Sequence, residues 1–289
     1  MLVSMQKIIS RAERGRYAVG AFNTSNLEIT LAIVRAAVRL KSPVIIQTSE
    51  SAIKYSNLET IYNLIKTLAN TAGCQVPIAI HLDHGKDLSI IKNCLRIGYN
   101  SVHIDASEYD FAKNIRLTKQ VVALAKKKHT WVQAELGAIF GAEGLVKLQK
   151  GTIKMADYMT DPGQAKKFVK TTGVDTLAVS VGTIHGRFVG IEKVDQKRLR
   201  AIRQETKIPL VLHGGSGLSP REFQQAIKNG VRIINIDTNL RLKFKQGVAG
   251  GLRQPAKIID PRAILHPAID LMQREVERLI KVFGSANKA

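Results

Sequence analysis

Short β-branched runs alternate with helix-period segments along the whole chain, and this alternation constrains the fold more than any single motif does. The runs fall at 17–22 (YAVGAF), 43–48 (PVIIQT), 77–82 (PIAIHL), 101–104 (SVHI), 131–135 (WVQAE), 176–181 (TLAVSV), 209–213 (PLVLH) and 232–236 (RIINI). Between them, segment 26–40 carries Leu27, Leu31, Val34 and Val38 on one helical stripe, and 219–229 opens on Ser219-Pro220 and stops before Gly230. Eight strand-and-helix units in 289 residues predict a closed α/β architecture, a (β/α)8 TIM barrel, rather than an open sheet. Neither GxGxxG nor GxxxxGK[ST] follows the first run, which weighs against a doubly wound nucleotide binder. With 45% hydrophobic residues the chain can bury one full core, so 1–289 is expected to form a single barrel domain. Segment 241–289 reads as a C-terminal helical extension that covers the mouth or packs on a partner subunit.

The formal net charge of +21 raises nucleic acid, an acidic membrane surface and anionic small molecules as partners. Its lysines and arginines are scattered, however, and clusters such as Lys126, Lys127 and Lys128, or Arg241, Lys243 and Lys245, fall on outer helices. Aromatic residues make up only 5% of the chain, too few for a platform that stacks single-stranded bases. The charge therefore reads as a solvated exterior that favours phosphorylated substrates and disfavours nucleic acid. No apolar run approaches the roughly 18 residues of a membrane span. The opening MLVSMQKIISRAERGRY is amphipathic, unlike a signal peptide, so no membrane partner and a cytoplasmic location are expected. Cys74 and Cys94 lack metal-ligand spacing and read as structural thiols.

The third run ends unusually, in PIAIHLDHG. Strand alternation puts Ile78, Ile80 and Leu82 on one face and Ala79, His81 and Asp83 on the other, with His84 at the lip. Ionisable groups there are costly unless paired, and a metal ion or a substrate would pair them. Other strands end in the same way. Asn23 ends the first and Ser49 follows the second. Glu135 ends the fifth, His185 follows the sixth and His213 ends the seventh, while Asn235, Asp237 and Thr238 end the eighth. In a barrel all of these ring one mouth. His84, His185 and His213, three of the seven histidines, suit an open Zn²⁺ site with one position left for substrate. Glycines after the later histidines, in H185-G186 and H213-G214-G215-S216-G217, suit a phosphate cradle with Asp237 and Thr238 beside it. The glycine-bearing loop 137–158 at the same end is long enough to move or to bind.

These residues carry a resemblance. In AFNTSNLE, PVIIQTSESAIKY, HLDHG, AELGAIFGAEG, TGVDTLAVSVGTIHG, PLVLHGGSGL, INIDT and DPR, the chain resembles the class II, metal-dependent fructose-bisphosphate and tagatose-bisphosphate aldolases over nearly its whole length. The resemblance implies a zinc-dependent barrel, a homodimer or homotetramer, that cleaves a ketose 1,6-bisphosphate to dihydroxyacetone phosphate and a three-carbon aldehyde phosphate in glycolysis and gluconeogenesis. It implies His84, His185 and His213 as zinc ligands, Glu135 near an alternate metal position, and Asp83 as the acid/base at the C4 hydroxyl. Glu143 falls on the loop glutamate that moves a proton at C1. Asn23, Ser49 and Asn235 match substrate-positioning groups. Gly186, Gly214, Ser216, Asp237 and Thr238 match the cradle for the dihydroxyacetone phosphate end, and Arg262 matches the arginine at the other phosphate, offered across a subunit interface. A monovalent cation, Na⁺ or K⁺, supports the phosphate site in this family.

The residue types suit that chemistry. Retro-aldol cleavage needs a base for the C4 hydroxyl, which Asp83 provides, and an electron sink, which a Lewis-acidic ion provides. No lysine stands at a strand end to form a Schiff base. Three departures mark this chain. Phe140 replaces the first of a glycine pair in the loop, Gly144 replaces an aspartate, and Val189 in HGRFVG stands where a phosphate-contacting lysine is expected, leaving Arg187 as the nearest substitute. Tagatose bisphosphate or another ketose phosphate is the alternative substrate. A zinc hydrolase would carry an HxH pair where Ala21-Phe22-Asn23 stands. A diverged basic barrel that mainly binds a partner is the remaining reading, and the retained metal ligands count against it.

Overall fold

The apolar runs form eight parallel strands: β1 (Val19–Asn23), β2 (Val44–Ser49), β3 (Ile78–Gly85), β4 (Ser101–Ile104), β5 (Trp131–Leu136), β6 (Thr176–Val179), β7 (Leu210–Leu212) and β8 (Val231–Ile236). Each pairs with its neighbours in sequence and β8 pairs with β1, closing the (β/α)8 barrel. The computed structural model describes residues 1–139, 145–146, 158–184, 186–188 and 193–289, with 145–146 and 187–188 described by backbone alone, as a short parallel pairing outside the barrel. Helices α1 (Met5–Gly15), α2 (Leu27–Arg39), α3 (Glu50–Ser56), α4 (Leu58–Asn70), α5 (Leu88–Ile97), α6 (Phe111–Lys126), α7 (Pro162–Thr172), α8 (Gln196–Thr206), α9 (Pro220–Lys228), α10 (Thr238–Gly251) and α11 (Pro261–Phe283) make up the rest. Among the described residues no helix is long and apolar enough to cross a membrane.

Two cores follow from strand alternation. Outward residues such as Phe22, Ile46, Ile80, Leu82, Val102 and Ile234 pack under the helices. Inward residues Val19, Ala21, Ile45, Ala79, Ala178, Val211 and Ile233 meet Met5, Ile8, Ile9 and Ala12 of α1. The 5-8-9-12 spacing gives α1 one apolar face, and the alanines at the strand centres leave room for it to plug the lower end of the barrel. Ser4 caps this helix by accepting from the Lys7 N–H.

The stripe expected on α2 is rotated. Leu27 is 44% exposed and Leu31 and Val38 are only partly covered, while Ile29, Ala32, Ile33, Val34, Ala36 and Ala37 are buried. Small side chains on that face let α2 lie close against the strands, which outweighs burial of the leucines at its rim. The expected start of α9 holds, with Ser219 accepting from the Glu222 N–H and Pro220 in the first turn. Cys94 is buried as expected of a structural thiol, but Cys74 is exposed in the turn after α4 and packs nothing of the core.

The C-terminal extension is helical, yet α11 does not lie across the mouth. It packs in the outer ring against α2, α9, α10 and β1, and its Phe283 carbonyl accepts from the Ala18 N–H at 3.1 Å. Glycines set its approach to α10. A Cβ on Gly247 would strike the backbone of Ala268 and one on Gly251 the carbonyl of Ile264, while a Cβ on Gly250 would meet nothing. Gly247→Ala and Gly251→Ala are each expected to destabilise the protein by about 1–3 kcal/mol through overpacking. Gly250→Ala should be neutral or stabilising by about 0.5–1 kcal/mol through helix propensity. Thermal and urea unfolding of the three variants checks this, and equal midpoints would refute the close α10–α11 contact.

Candidate active site

The inward stripes are polar toward the mouth, and on β1, β2, β3, β7 and β8 they turn from apolar to polar as the chain climbs. It reads Val19, Ala21, Asn23 on β1; Ile45, Gln47, Ser49 on β2; Ala79, His81, Asp83 on β3; and Ser101, His103, then Asp105 on β4. On β5 it reads Gln133, Glu135, on β7 Val211 then His213, and on β8 Ile233, Asn235 then Asp237. Most of the polar tier is buried and hydrogen-bonds across strands. Gln47 Nε2 donates to Asn23 Oδ1 at 2.6 Å, and Asn23 Nδ2 donates to Asp83 Oδ2 at 2.8 Å. Asn235 Nδ2 donates to Asp83 Oδ1 at 3.1 Å and lies 3.2 Å from His213 Nε2, which is also 2.9 Å from Gln133 Nε2. His81 Nδ1 is 2.9 Å from the Ser101 hydroxyl. Burial pushes the His81 pKa down to about 4 against the pull of Asp83, so this ring is neutral.

Above this tier opens a cavity of about 430 Å³. It is lined by twelve of the residues expected from the sequence: Asn23, Ser49, Asp83, His84, Glu135, Gly186, His213, Gly214, Ser216, Asn235, Asp237 and Thr238. Gly214 adopts φ +71°, which only glycine takes readily, and a Cβ there would lie 2.6 Å from the Ile184 carbonyl oxygen. The turn Gly215–Gly217 and the start of α10 at Thr238 thus face the cavity together. Arg262 is not brought to this mouth. Its side chain is 90% exposed at the start of α11 and pairs with Asp260. His185, Glu143, Phe140, Gly144 and Val189 lie outside the described residues, as does the side chain of Arg187.

His84 is placed by a kink. The β3–β4 register shifts between Leu82 and Gly85, and His84 sits in that bulge at φ +47°, a conformation a non-glycine residue rarely adopts. Its N–H donates to His103 Nδ1 at 3.2 Å, its Nδ1 lies 2.7 Å from Asp105 Oδ2, and its Nε2 faces His213 Nδ1 at 3.0 Å. Carboxylates outnumber cations around it. Burial would raise the Asp83 pKa, but His84 and the Asn23 amide hold it below the ordinary carboxylate value. Asp105 is likewise held low by its hydrogen bond to His84, against the penalty of burial. Glu135 goes the other way: burial, with the Asp105 charge added, pushes it up to about 8. Burial disfavours charge on His84, yet Asp83, Asp105 and Glu135 together push its pKa up to about 10.

The donor set suits a divalent ion. Ligand atoms of Asp83, His84, His103 and His213 lie within 4.8 Å of one another, as do those of His84, Asp105 and Glu135. Among the described residues, the buried atoms His81 Nε2, His103 Nε2 and Glu135 Oε2 have no hydrogen-bond partner. Carboxyl groups and imidazoles converging on one point are a ligand pattern that a cation completes.

Sequence reasoning missed His103, Asp105, Ser107, Lys86 and Glu108 at this mouth, and Gln47 and Gln133 below it. The signal for His103 and Asp105 was present in SVHIDAS, where a strand ends on ionisable residues just as HLDHG does. Lys86 reaches the cavity from the turn after β3, where no lysine was expected. It is paired with Glu108, which raises its pKa and keeps it protonated, unlike the neutral amine a Schiff base requires.

The family model described as fructose-bisphosphate aldolase class-II matches residues 3–288. A fructose-bisphosphate aldolase of Geobacillus stearothermophilus is 40% identical, with 100% of this chain and 99% of that protein covered. One of Staphylococcus aureus is 37% identical over the same spans. Among solved structures, the YdjI aldolase of Escherichia coli K12 is 32% identical and superposes with a TM-score of 0.87, with 100% of both chains covered.

Proposed function

The chain belongs to the class II fructose-bisphosphate aldolase family of carbon–carbon lyases, which are generally metal-dependent, and from that premise we propose a zinc-dependent aldolase that reversibly cleaves a ketose 1,6-bisphosphate, fructose 1,6-bisphosphate first among them. The observation that carries the reading is the approach of His84 and His213 to 3.0 Å beside the buried carboxylates Asp83, Asp105 and Glu135. His84, His185 and His213 would hold the ion, with Glu135 as an alternate ligand. Once bound, zinc supplies Lewis acidity toward the substrate's C2 carbonyl oxygen.

The protein's own groups do the rest. Asp83, held ionised, takes the proton of the C4 hydroxyl. As the C4 carbonyl forms, the C3–C4 bond breaks, its electron pair stays on the dihydroxyacetone phosphate half, and glyceraldehyde 3-phosphate leaves. Glu143 returns a proton to the carbon that gained the pair. Asn23 and Asn235, both hydrogen-bonded to Asp83, orient its carboxylate. Gly186, Gly214, Ser216, Asp237 and Thr238 bind the phosphate of the dihydroxyacetone end, aided by a monovalent cation and by the partial positive charge at the start of α10. Arg262 lies away from its own mouth and contributes to the second phosphate from a neighbouring subunit of a homodimer or homotetramer. The enzyme works in the cytoplasm.

Cleavage of fructose 1,6-bisphosphate and tagatose 1,6-bisphosphate, with and without chelator, is the deciding assay. Activity should vanish on metal removal and return with Zn²⁺, and chelator-resistant cleavage would sink the metal reading. His84→Ala, His185→Ala and His213→Ala should each lose zinc and activity together, because such a site has no spare ligand. Full zinc occupancy in any of the three removes that residue from the ligand set. Asp83→Ala should retain zinc and lose about 10²- to 10⁴-fold in kcat.

The pH profile follows from the direction of the Asp83 shift. A base that acts as a carboxylate is competent above its pKa and loses activity as pH falls through it. Asn23 donates to the charged form, so Asn23→Ala should raise that pKa and move the acid limb of kcat/KM to higher pH. An unmoved or lower limb would show that Asp83 does not set it.

A further inference from the structure

His103 ends β4 with no exposed surface, and the chemistry described so far leaves it unused. Its ring stands among the site groups, 4.9 Å from the His84 ring and 5.3 Å from that of His213 between centroids. Distance alone would make it a fourth ligand. Its hydrogen bonding says otherwise. The His84 N–H donates to His103 Nδ1 at 3.2 Å, so Nδ1 is the ring's acceptor. An imidazole whose Nδ1 accepts has no proton there and so carries its one proton on Nε2. Ligation through Nε2 would require that proton to move to Nδ1, where it would confront the His84 N–H.

The Nε2–H faces a carboxyl group. Glu135 Oε2 is 3.7 Å away, and both atoms are buried without a hydrogen-bond partner among the described residues. A small rotation of either side chain converts two costly orphans into one hydrogen bond. The His84 bulge depends on the other side of the same ring, because a register shift leaves ladder groups unpaired and His103 Nδ1 receives the N–H at that kink. We propose that His103 is a positioning residue of the metal centre and not one of its ligands: its Nδ1 fixes the bulge that aims His84, and its Nε2–H steers the Glu135 carboxylate. This rests on the metal-dependent reading of the site.

Three variants separate the two contacts. His103→Asn keeps an acceptor near the Nδ1 position, His103→Gln keeps a donor near the Nε2 position, and His103→Leu keeps neither. Zinc affinity is read by competition with a chromophoric chelator, and ligand number by the visible absorption of the Co²⁺-substituted proteins. His103→Leu should bind zinc about 10- to 100-fold more weakly than wild type, the usual cost of removing a partner that orients a ligand. Asn and Gln should each recover part of that loss, and all Co²⁺ spectra should keep the wild-type band intensity, because no ligand has gone. Wild-type zinc affinity in all three variants overturns the inference alone, as does a Co²⁺ spectrum showing loss of a nitrogen ligand. A wild-type protein that takes up neither ion overturns the metal reading and this inference with it. Should His103→Leu fail to fold, the Asn and Gln variants decide: weaker zinc binding in either with an unchanged Co²⁺ spectrum supports positioning, and wild-type affinity in both refutes it.

Discussion

Everything at the mouth depends on keeping a tier of polar side chains buried inside a closed barrel without leaving their hydrogen bonds unmade. An unpaired buried polar group costs about 1–3 kcal/mol, so a ring of such groups persists only if its members satisfy one another. The chain Gln47–Asn23–Asp83–Asn235–His213–Gln133 does this across five strands, β2, β1, β3, β8 and β5, together with the turn after β7. Closure makes the network possible, because only a closed sheet brings strand-end residues from β1 and β5 within reach of a common neighbour. The network in turn fixes the rotation of Asp83 and His213, the two groups whose orientation the proposed chemistry needs most. Within the chain Gln47 Oε1 and Asn235 Oδ1 each lack a partner among the described residues, and beside the point where an ion would sit so do His81 Nε2, His103 Nε2 and Glu135 Oε2.

The lower half of the barrel holds this tier in place. Apolar inward residues with α1 beneath them form a plug that cannot yield without opening a cavity, so the polar side chains rest on a rigid floor. On the outside, the glycine contact between α10 and α11 positions the start of α10, where Thr238 faces the cavity. Packing some distance from the chemistry therefore sets where a phosphate would meet backbone N–H groups.

Much of this was legible in the sequence. The eight runs and their order follow from β-branched periodicity, and the strand-end rule found nine residues that line the cavity, with Gly186, Gly214 and Ser216 added by the glycine turns that follow. That rule was applied unevenly. HLDHG places three ionisable residues at a strand end and SVHID places two, His103 and Asp105, at the end of β4. Polar residues on the inward stripe of each strand mark both, along with Gln47 and Gln133. Other features were not legible in principle. The bulge at His84 is a consequence of β3–β4 pairing, which no local pattern encodes, and the face buried by α2 is decided by how closely Ala32, Ala36 and Ala37 let it approach the sheet. Arg262 could be matched by its DPR context, but its place outside the mouth is set by how α11 joins the outer ring.

The charge distribution links these levels. The protein carries +21 overall, yet its cavity is lined by Asp83, Asp105, Glu108, Glu135 and Asp237. A bisphosphate is drawn by the exterior field and would be repelled at the centre, since like charges at short range in a poorly solvated site cost several kcal/mol. Two features relieve that conflict. Arg241 pairs with Asp237 at 2.8 Å and Lys86 with Glu108, so the carboxylates at the rim are already balanced. Deeper in, a protonated His84 is the cationic side chain that contacts Asp83, Asp105 and Glu135, and it offsets one of the three at most, while Lys86 acts on Asp105 and Glu135 only from the rim. A divalent ion in place of that proton lowers the excess further, so the same carboxylate set that makes the cavity hostile to a phosphorylated sugar is what recruits the cation that makes it receptive.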